Sequence, residues 1–392
     1  MVKRRTLVLG ATAAPLFRIA AAQSGEPLRI GWLAALTGPS AVPAIGFNRG
    51  VTLAAAELNA AGGVRGRRVE LITRDTQGDP ARAANAAKDL ISHAKVHAVW
   101  GPTNSNEALA ALPIIARAAT PCLHPCVTDS LIDPAKYPSV CRIAPSSSQW
   151  DDAVRGYVLD TLGVREVAVF GDTSVYGTGA VAASAAAFNR DGAHVVSQSL
   201  IDATQPDVTP DMLHARAAGA EVLVAWSASV GLLSRLMNVR RALRWNVPIV
   251  GHPSLGADEI RGLLDRPGNW ERVFTVGCRS CSVGEDGKLP ERSQAFVAKL
   301  AAAKAALRET SLWWVACGYD AVQLVAAAVE SSGASTPDAI TEAWNWTAAF
   351  PGVFGDYSFD PGNHNGFPQA EVVMTCANSQ RNGAFALASS VT

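Results

Sequence analysis

Neither sign of charge is in excess along this chain. Thirty-four Lys and Arg stand against 34 Asp and Glu, and charged residues make up 17% of it. That balance leaves no basic footprint for nucleic acid. With 48% of its residues hydrophobic, the chain has ample material for a core and is not a disordered polymer. Catalytic signatures are missing too: no nucleophile elbow G-x-S-x-G, no phosphate loop G-x-x-x-x-G-K-[ST], no G-x-G-x-x-G and no H-E-x-x-H occurs. Ser, His and Asp are scattered, so only a fold could assemble a triad from them. The expectation is a protein that is not an enzyme, with no cofactor and no catalytic residues.

Metal ligands are equally scarce. Seven cysteines include one C-x-x-C, Cys278 to Cys281, with no second pair and no histidine beside it. Zinc sites need four converging ligands, so no metal is expected. An odd count leaves at least one thiol unpaired; the rest form a local disulfide or stay as buried free thiols. His93 and His97 have i, i+4 spacing but straddle a helix end and a strand start, so they should not face one ion. The longest apolar stretch, S-L-W-W-V-A-C-G-Y-D-A-V-Q-L-V-A-A-A-V-E, carries Asp320 and Gln323 in its middle and reads as a buried helix rather than a membrane span.

What is present begins with a secretory pattern. Lys3, Arg4 and Arg5 precede an apolar run, and Ala20 and Ala22 are placed for cleavage before Gln23. Residues 1–22 are therefore expected to be a signal peptide, by a general or twin-arginine route, with no Cys placed for a lipid anchor. Its removal takes Lys3, Arg4, Arg5 and Arg18 and leaves a slightly acidic mature chain. The remaining length suggests two or three domains at roughly 150 residues each.

The stretch from Val99 to Thr128, V-W-G-P-T-N-S-N-E-A-L-A-A-L-P-I-I-A-R-A-A-T-P-C-L-H-P-C-V-T, reads as strand, loop, helix, strand, loop. Gly101 and Pro102 cut the first strand. Asn104 and Glu107 then take the ends of a capping box, so a helix opens beside Ser105. Cys122 to His124 is the next strand, and Thr128 with Ser130 supplies hydroxyls where L-I-D-P would start another helix. Either loop alone would only cap a helix. Two on successive strands of a parallel sheet point to an anion site, because free N–H groups and positive helix ends gather beyond the strands' carboxyl ends.

Strand and helix alternate from Leu28 onward. The expected strands are Leu28–Ala34, Arg67–Arg74, Ala98–Trp100, Cys122–His124 and Val140–Ile143, with helices over Phe47–Ala61 and from Asp79-Pro80 to Ser92. A polar break, Pro145 to Gln149, precedes a second alternation. It runs through strands Arg165–Phe170, Ala193–Ser199, Glu221–Trp226, Val247–Val250 and Arg272–Gly277, with helices between them. Helices follow over Glu291–Arg308 and Leu312–Ser331, and should pack back on the first domain. The tail alternates like antiparallel strands and carries the hairpin signal Asn382-Gly383. The loop Gly171 to Gly179 ends a strand of the second domain, and Tyr176 in it either projects into a cleft or packs locally.

Taken together, I-G-W-L-A-A-L-T-G-P, G-V-T-L-A-A-A-E-L-N-A-A-G-G-V-R-G-R-R-V-E-L, D-T-Q-G-D-P, G-P-T-N-S, P-C-L-H-P-C-V-T, G-D-T-S-V-Y-G, G-Y-D-A-V and F-P-G-V-F-G-D-Y-S-F-D resemble, in order and spacing, the type I periplasmic solute-binding proteins of ABC importers. The branch is the leucine/isoleucine/valine-binding one, and the likeness covers nearly all of the mature chain. It implies an α/β fold of two doubly wound Rossmann-like lobes joined by three hinge crossings near Arg142, Gly277 and Phe350. Lobe 1 would be residues 23–142 and 278–350, and lobe 2 residues 143–277 and 351–392. It further implies a periplasmic monomer that closes on a small-molecule carboxylate and delivers it to membrane permease subunits, with no nucleic acid among its partners. A ligand-sensing receptor and an amino-acid binder are the alternatives.

By the same resemblance Ser105 and Thr128 hold a ligand carboxylate, Cys126 and Val127 line the same pocket, and Tyr176 closes from the second lobe; Asn104, Trp226, Ser227 and Ser254 are the further candidate ligand-binding residues. Two departures bear on the ligand. In G-H-P-S-L-G, Pro253 or Ser254 stands where amino-acid binders carry an acid for the α-ammonium, and no aromatic is evident in the first loop, S-A-V-P-A-I-G. The tail F-D-P-G-N-H-N-G resembles a sub-branch associated with aromatic acids. The expected ligand is thus an aromatic or branched apolar acid without an α-ammonium.

Overall fold

The computed structural model describes residues 25–38, 41–303 and 310–388. The expected signal segment, and the end of the helix expected over 291–308, lie outside the described residues.

The first half of the chain runs β1 (Leu28–Ala34), α1 (Ala41–Ala60), β2 (Val69–Asp75), α2 (Pro80–Ser92), β3 (Ala98–Trp100), α3 (Ser105–Arg117), β4 (Cys122–His124) and β5 (Val140–Arg142). After a first crossing come α4 (Ser147–Gly156), β6 (Glu166–Asp172), α5 (Val175–Arg190), β7 (His194–Ile201), α6 (Thr209–Ala217), β8 (Val222–Trp226), α7 (Val230–Ala242), β9 (Ile249–Gly251) and β10 (Val273–Cys278). The remainder is β11 (Ser282–Val283), α8 (Glu291–Ala302), α9 (Leu312–Ser332), α10 (Pro337–Asn345), β12 (Phe350–Pro351), β13 (Asp356–Tyr357), β14 (Val372–Cys376) and β15 (Phe385–Ala386).

Two sheets result. The first is wholly parallel in the order β2-β1-β3-β4-β5, and the second runs β14-β10-β9-β8-β6-β7 with only β14 antiparallel. Their central strands are buried, as strands covered by helices on both faces must be. On one face of the first sheet α2 and α3 pack through Ala83, Ala87, Leu90, Ala108, Ala111, Leu112 and Ile115. On the other lie α1 and α9, and these two helices meet backbone to backbone. A Cβ on Gly50 would lie 1.9 Å from the Val315 carbonyl oxygen, and one on Gly318 2.2 Å from that of Phe47.

α1 begins six residues before the expected Phe47, directly after the polar loop. α10 was not anticipated, although Thr336 caps it by accepting from Ala339 N, Pro337 takes the first position, and Ile340 and Trp344 are buried beneath it. α4 starts at Ser147 inside the expected polar break, where Ser146 and Gln149 form a reciprocal capping box.

The third crossing falls later than Phe350. Buried Asp320 of α9 accepts hydrogen bonds from Val353 N (2.8 Å), Phe354 N (2.7 Å) and Tyr357 Oη (3.0 Å), which ties the β12–β13 hairpin to the first lobe. The chain then runs beside β5, where Arg142 N donates to His364 O and Gly366 N to Arg142 O. Only at β14 does it join the second sheet. The reason is the carboxylate of Asp320, which once buried needs these donors. Asn382 and Gly383 make a tight turn between Arg381 and Ala384, both at positive φ, as the dipeptide demands.

Candidate functional site

The loops beyond β3 and β4 carry the residues expected to hold the carboxylate, and α3, which follows β3, packs against α5 of the second lobe. Gly101 turns at φ 102°, and a Cβ there would sit 2.0 Å from the Leu33 carbonyl oxygen, so only glycine lets this loop lie against the end of β1. Asn104 caps α3 by accepting from Glu107 N at 3.0 Å, and its amide donates to Glu107 Oε2 at 2.5 Å. Ser105 is the first residue of the helix and is buried.

At the β4 loop, Cys126 N donates to His124 Nδ1 (3.1 Å) and Cys126 Sγ to Pro102 O (3.1 Å). Three successive carbonyls, those of Cys126, Val127 and Thr128, turn toward the buried guanidinium of Arg142 at 3.5, 3.1 and 3.2 Å. Thr128 heads a single 3₁₀ turn over Asp129–Leu131, not the longer helix expected at L-I-D-P. Its side chain makes no cap bond, and its Oγ1 is buried without a partner. Such an orphaned group costs free energy unless something fills its bond.

The facing wall comes from the second lobe. Tyr176 is the second residue of α5: Ser174 caps the helix by accepting from Gly177 N at 3.0 Å, so the expected loop Gly171 to Gly179 is already helical from Val175. A Cβ on Gly177 would meet the Asp172 carbonyl oxygen at 2.3 Å, which explains glycine at that position in place of turn-making. The Tyr176 hydroxyl is buried without a partner; burial raises its pKa, helped by the charges of Asp172, Asp151 and Asp129. Asp129 belongs to the first lobe, and α3 touches α5 across the cleft, so the two walls meet.

Around Tyr176 stand Trp150 of α4 and His252 from the loop after β9. Ring centroids are 6.4 Å apart for Trp150–Tyr176, 5.4 Å for Tyr176–His252 and 5.3 Å for Trp150–His252, all edge to face. Trp226 ends β8 with its indole Nε1 buried and unpartnered. Ser227 Oγ donates to Asp172 Oδ2 at 2.5 Å and accepts from Ser229 N, so its hydrogen bonds are already committed. Asp172 also accepts from Ser174 N and Ser174 Oγ. Ser254 N donates to His252 Nδ1 at 3.0 Å.

Residues 27–381 match the family described as Periplasmic binding protein. The chain belongs to that family. It is 27% identical over 213 residues to Leu/Ile/Val-binding protein homolog 3 of Brucella melitensis, a match spanning 54% of this chain and 58% of that protein. It is 26% identical to Leu/Ile/Val-binding protein BraC3 of Rhizobium johnstonii over 90% of this chain and 91% of that one. Among solved structures, the branched-chain amino acid transporter substrate binding protein LivJ of Streptococcus pneumoniae, in complex with isoleucine, superposes with a TM-score of 0.78 at 24% identity, covering 92% of this chain and 97% of that one. A solute binding protein of an ABC transporter from Rhodopseudomonas palustris, in complex with 4-hydroxybenzoate, gives 0.75 at 20% identity over 92% and 95%. These solved likenesses establish the fold.

In this periplasmic binding protein, sequence reading did not name Arg142, Trp150 or His252 among the candidate site residues, and named Asp172 only as an acid that could reach the pocket from another loop. An Arg inside an otherwise apolar strand was the one available signal for the first. The seven cysteines, all buried, are free thiols, and burial raises the pKa of Cys278 and Cys281. His93 lies 3.1 Å from Asp89, and His97 Nδ1 accepts from Arg29 N, so the two rings serve different partners.

Proposed function

We propose that this protein is the periplasmic substrate-binding component of an ABC importer and that it closes on a small carboxylate with an aromatic or branched apolar body. The observation that carries this reading is Thr128 Oγ1, a buried hydroxyl without a partner. It lies in a loop whose carbonyls are all drawn away onto Arg142, beside the start of α3. Helix starts and stripped N–H groups suit an anion. Opposite them, the Trp150, Tyr176 and His252 rings offer an apolar wall.

An α-ammonium would need an acid. Pro253 and Ser254 supply none. Asp172 is already engaged by three donors, and Asp360 sits in an exposed turn accepting from Gly362 N. A buried charge without its partner costs roughly 3–5 kcal/mol. The relatives bearing Leu/Ile/Val-binding names keep an amino-acid binder as the second reading.

Mass spectrometry of molecules copurifying with the folded protein, followed by calorimetric titration, tests the proposal. Expected are tight binding of a simple aromatic or branched acid and none of leucine, valine or phenylalanine. Ser105→Ala and Thr128→Ala should each weaken the acid by about 1.5–3 kcal/mol. Micromolar binding of a free α-amino acid refutes the ligand class, and unchanged affinity in both variants refutes the site.

A further inference from the structure

The loop expected to receive the carboxylate is oriented from behind by one side chain. Arg142 ends β5 and is 1% exposed. Its Nη1 donates to Val127 O at 3.1 Å and Thr128 O at 3.2 Å, and lies 3.5 Å from Cys126 O. Burial lowers its pKa only to about 10, so the guanidinium stays charged at neutral pH. The carboxylate it faces, that of Asp129, stands 3.7 Å from Nη2 and already accepts from Ser147 Oγ, Ser148 N and Ser148 Oγ. Peptide carbonyls therefore do most of the work of solvating this buried cation.

A planar trans peptide carries its C=O and the following N–H on opposite edges. Holding three carbonyls on Arg142 thus turns the N–H groups of Val127, Thr128 and Asp129 away from it. Those of Val127 and Thr128 have no acceptor among the described residues, and the buried Thr128 Oγ1 beside them has no partner. Successive peptides with their negative ends on a cation present their positive ends in the other direction, which is what an anion requires.

The guanidinium is itself aimed. Its Nε donates to Asn365 Oδ1 at 3.2 Å, Asn365 Nδ2 donates to Gln149 Oε1 at 3.0 Å, and Gln149 Nε2 donates to Phe367 O at 2.9 Å. A guanidinium only donates and a backbone carbonyl only accepts, so both amides in this relay have a single allowed orientation. We infer that Arg142 is a positioning residue of the carboxylate site: aimed by Asn365 and Gln149, it holds the 126–129 peptides with their N–H groups toward the ligand, and acts through those peptides. This rests on the carboxylate reading, and it holds equally for an amino acid, whose carboxylate is the same group. Without the aimed fork the peptides can turn, and a carbonyl facing the ligand repels a carboxylate but accepts from an amide NH₂.

Discrimination between an acid and its amide is the readout. Benzoate with benzamide, and leucine with leucinamide, are titrated calorimetrically into the full chain freed of copurifying ligand. The unaltered protein should prefer the acid of at least one pair by about tenfold or more. Arg142→Met should bring that ratio below about threefold, and Asn365→Leu, which leaves the charge in place and removes only the aim, should lower it by at least about threefold. Asn365 is half-buried, so its variant carries the test if Arg142→Met does not fold. Acid and amide weakened alike, with their ratio unchanged, is the mark of a merely structural role; it overturns the inference and leaves the carboxylate reading standing. An unaltered protein that binds neither acid, or binds acid and amide alike, overturns both. Nitrogen-15 spectra of the ligand-free protein should show separate Nη signals for a fixed Arg142 guanidinium, and a single averaged signal overturns the inference whatever the titrations show.

Discussion

Glu107 sits in the first turn of α3 with no exposed surface, and burial pushes its carboxyl pKa up to about 7, aided by the charges of Asp75 and Asp79. Replacing it by glutamine keeps the shape and an oxygen to accept from Asn104 Nδ2. In the unfolded chain the carboxyl titrates near 4.5. Below that pH both states hold the proton and the charge difference vanishes. As pH rises, the unfolded state releases its proton first, so the native protein loses stability until its own carboxyl ionises near 7, and the loss is flat thereafter. A shift from 4.5 to about 7 at 1.36 kcal/mol per unit is about 3 kcal/mol. Glu107→Gln should therefore match the parent protein at pH 4 and exceed its stability by about 3 kcal/mol at pH 8. Urea unfolding followed by tryptophan fluorescence across that range measures the difference. A gap between the two proteins that stays constant from pH 5 to pH 8 would refute the reasoning, because it would mean that Glu107 titrates alike folded and unfolded.

Gly318→Ala should destabilise the first lobe by about 3 kcal/mol or more, since the new methyl meets the Phe47 backbone and not a movable side chain. Gly262→Ala, with open space around it, should stay within about 0.5 kcal/mol, and similar losses in both would contradict the α1–α9 packing. All seven cysteines are buried free thiols, so a thiol reagent should label none quickly in the native protein and all seven in denaturant. Rapid stoichiometric labelling of the native chain would count against that burial.

Local signals carried much of the fold. Asn104 and Glu107 marked the start of α3, Asp79 and Pro80 that of α2, and Asn382-Gly383 a tight turn, because each effect acts within a few residues. Regular alternation revealed both parallel sheets. What escaped depended on partners far along the chain. The hairpin of β12 and β13 stays with the first lobe because Asp320 needs its donors, and no pattern near Phe350 announces that. Tyr176 was visible as a residue at the end of a strand, yet the glycines around it suggested a loop when Ser174 was already capping a helix. Arg142 and His252 entered the site through contacts with backbone groups of neighbouring loops, and backbone partners leave no trace in composition.

The backbone contact between α1 and α9 also governs the order in which this molecule can be completed. α1 occupies Ala41–Ala60, and its partner arrives only with Leu312–Ser332, after strands β6 to β10 of the second sheet have been made. Until then Trp32, Trp100 and Phe47, which end up in the shared core, have no outer layer. Strands β6 to β10 are contiguous and can pair with one another before α9 exists, β14 joining them later, while the first lobe waits on a loop closure spanning roughly 250 residues. A nascent or truncated chain that stops short of Leu312 therefore presents an open apolar trough on α1, and it is during that interval, before any ligand is met, that the protein most needs a chaperone.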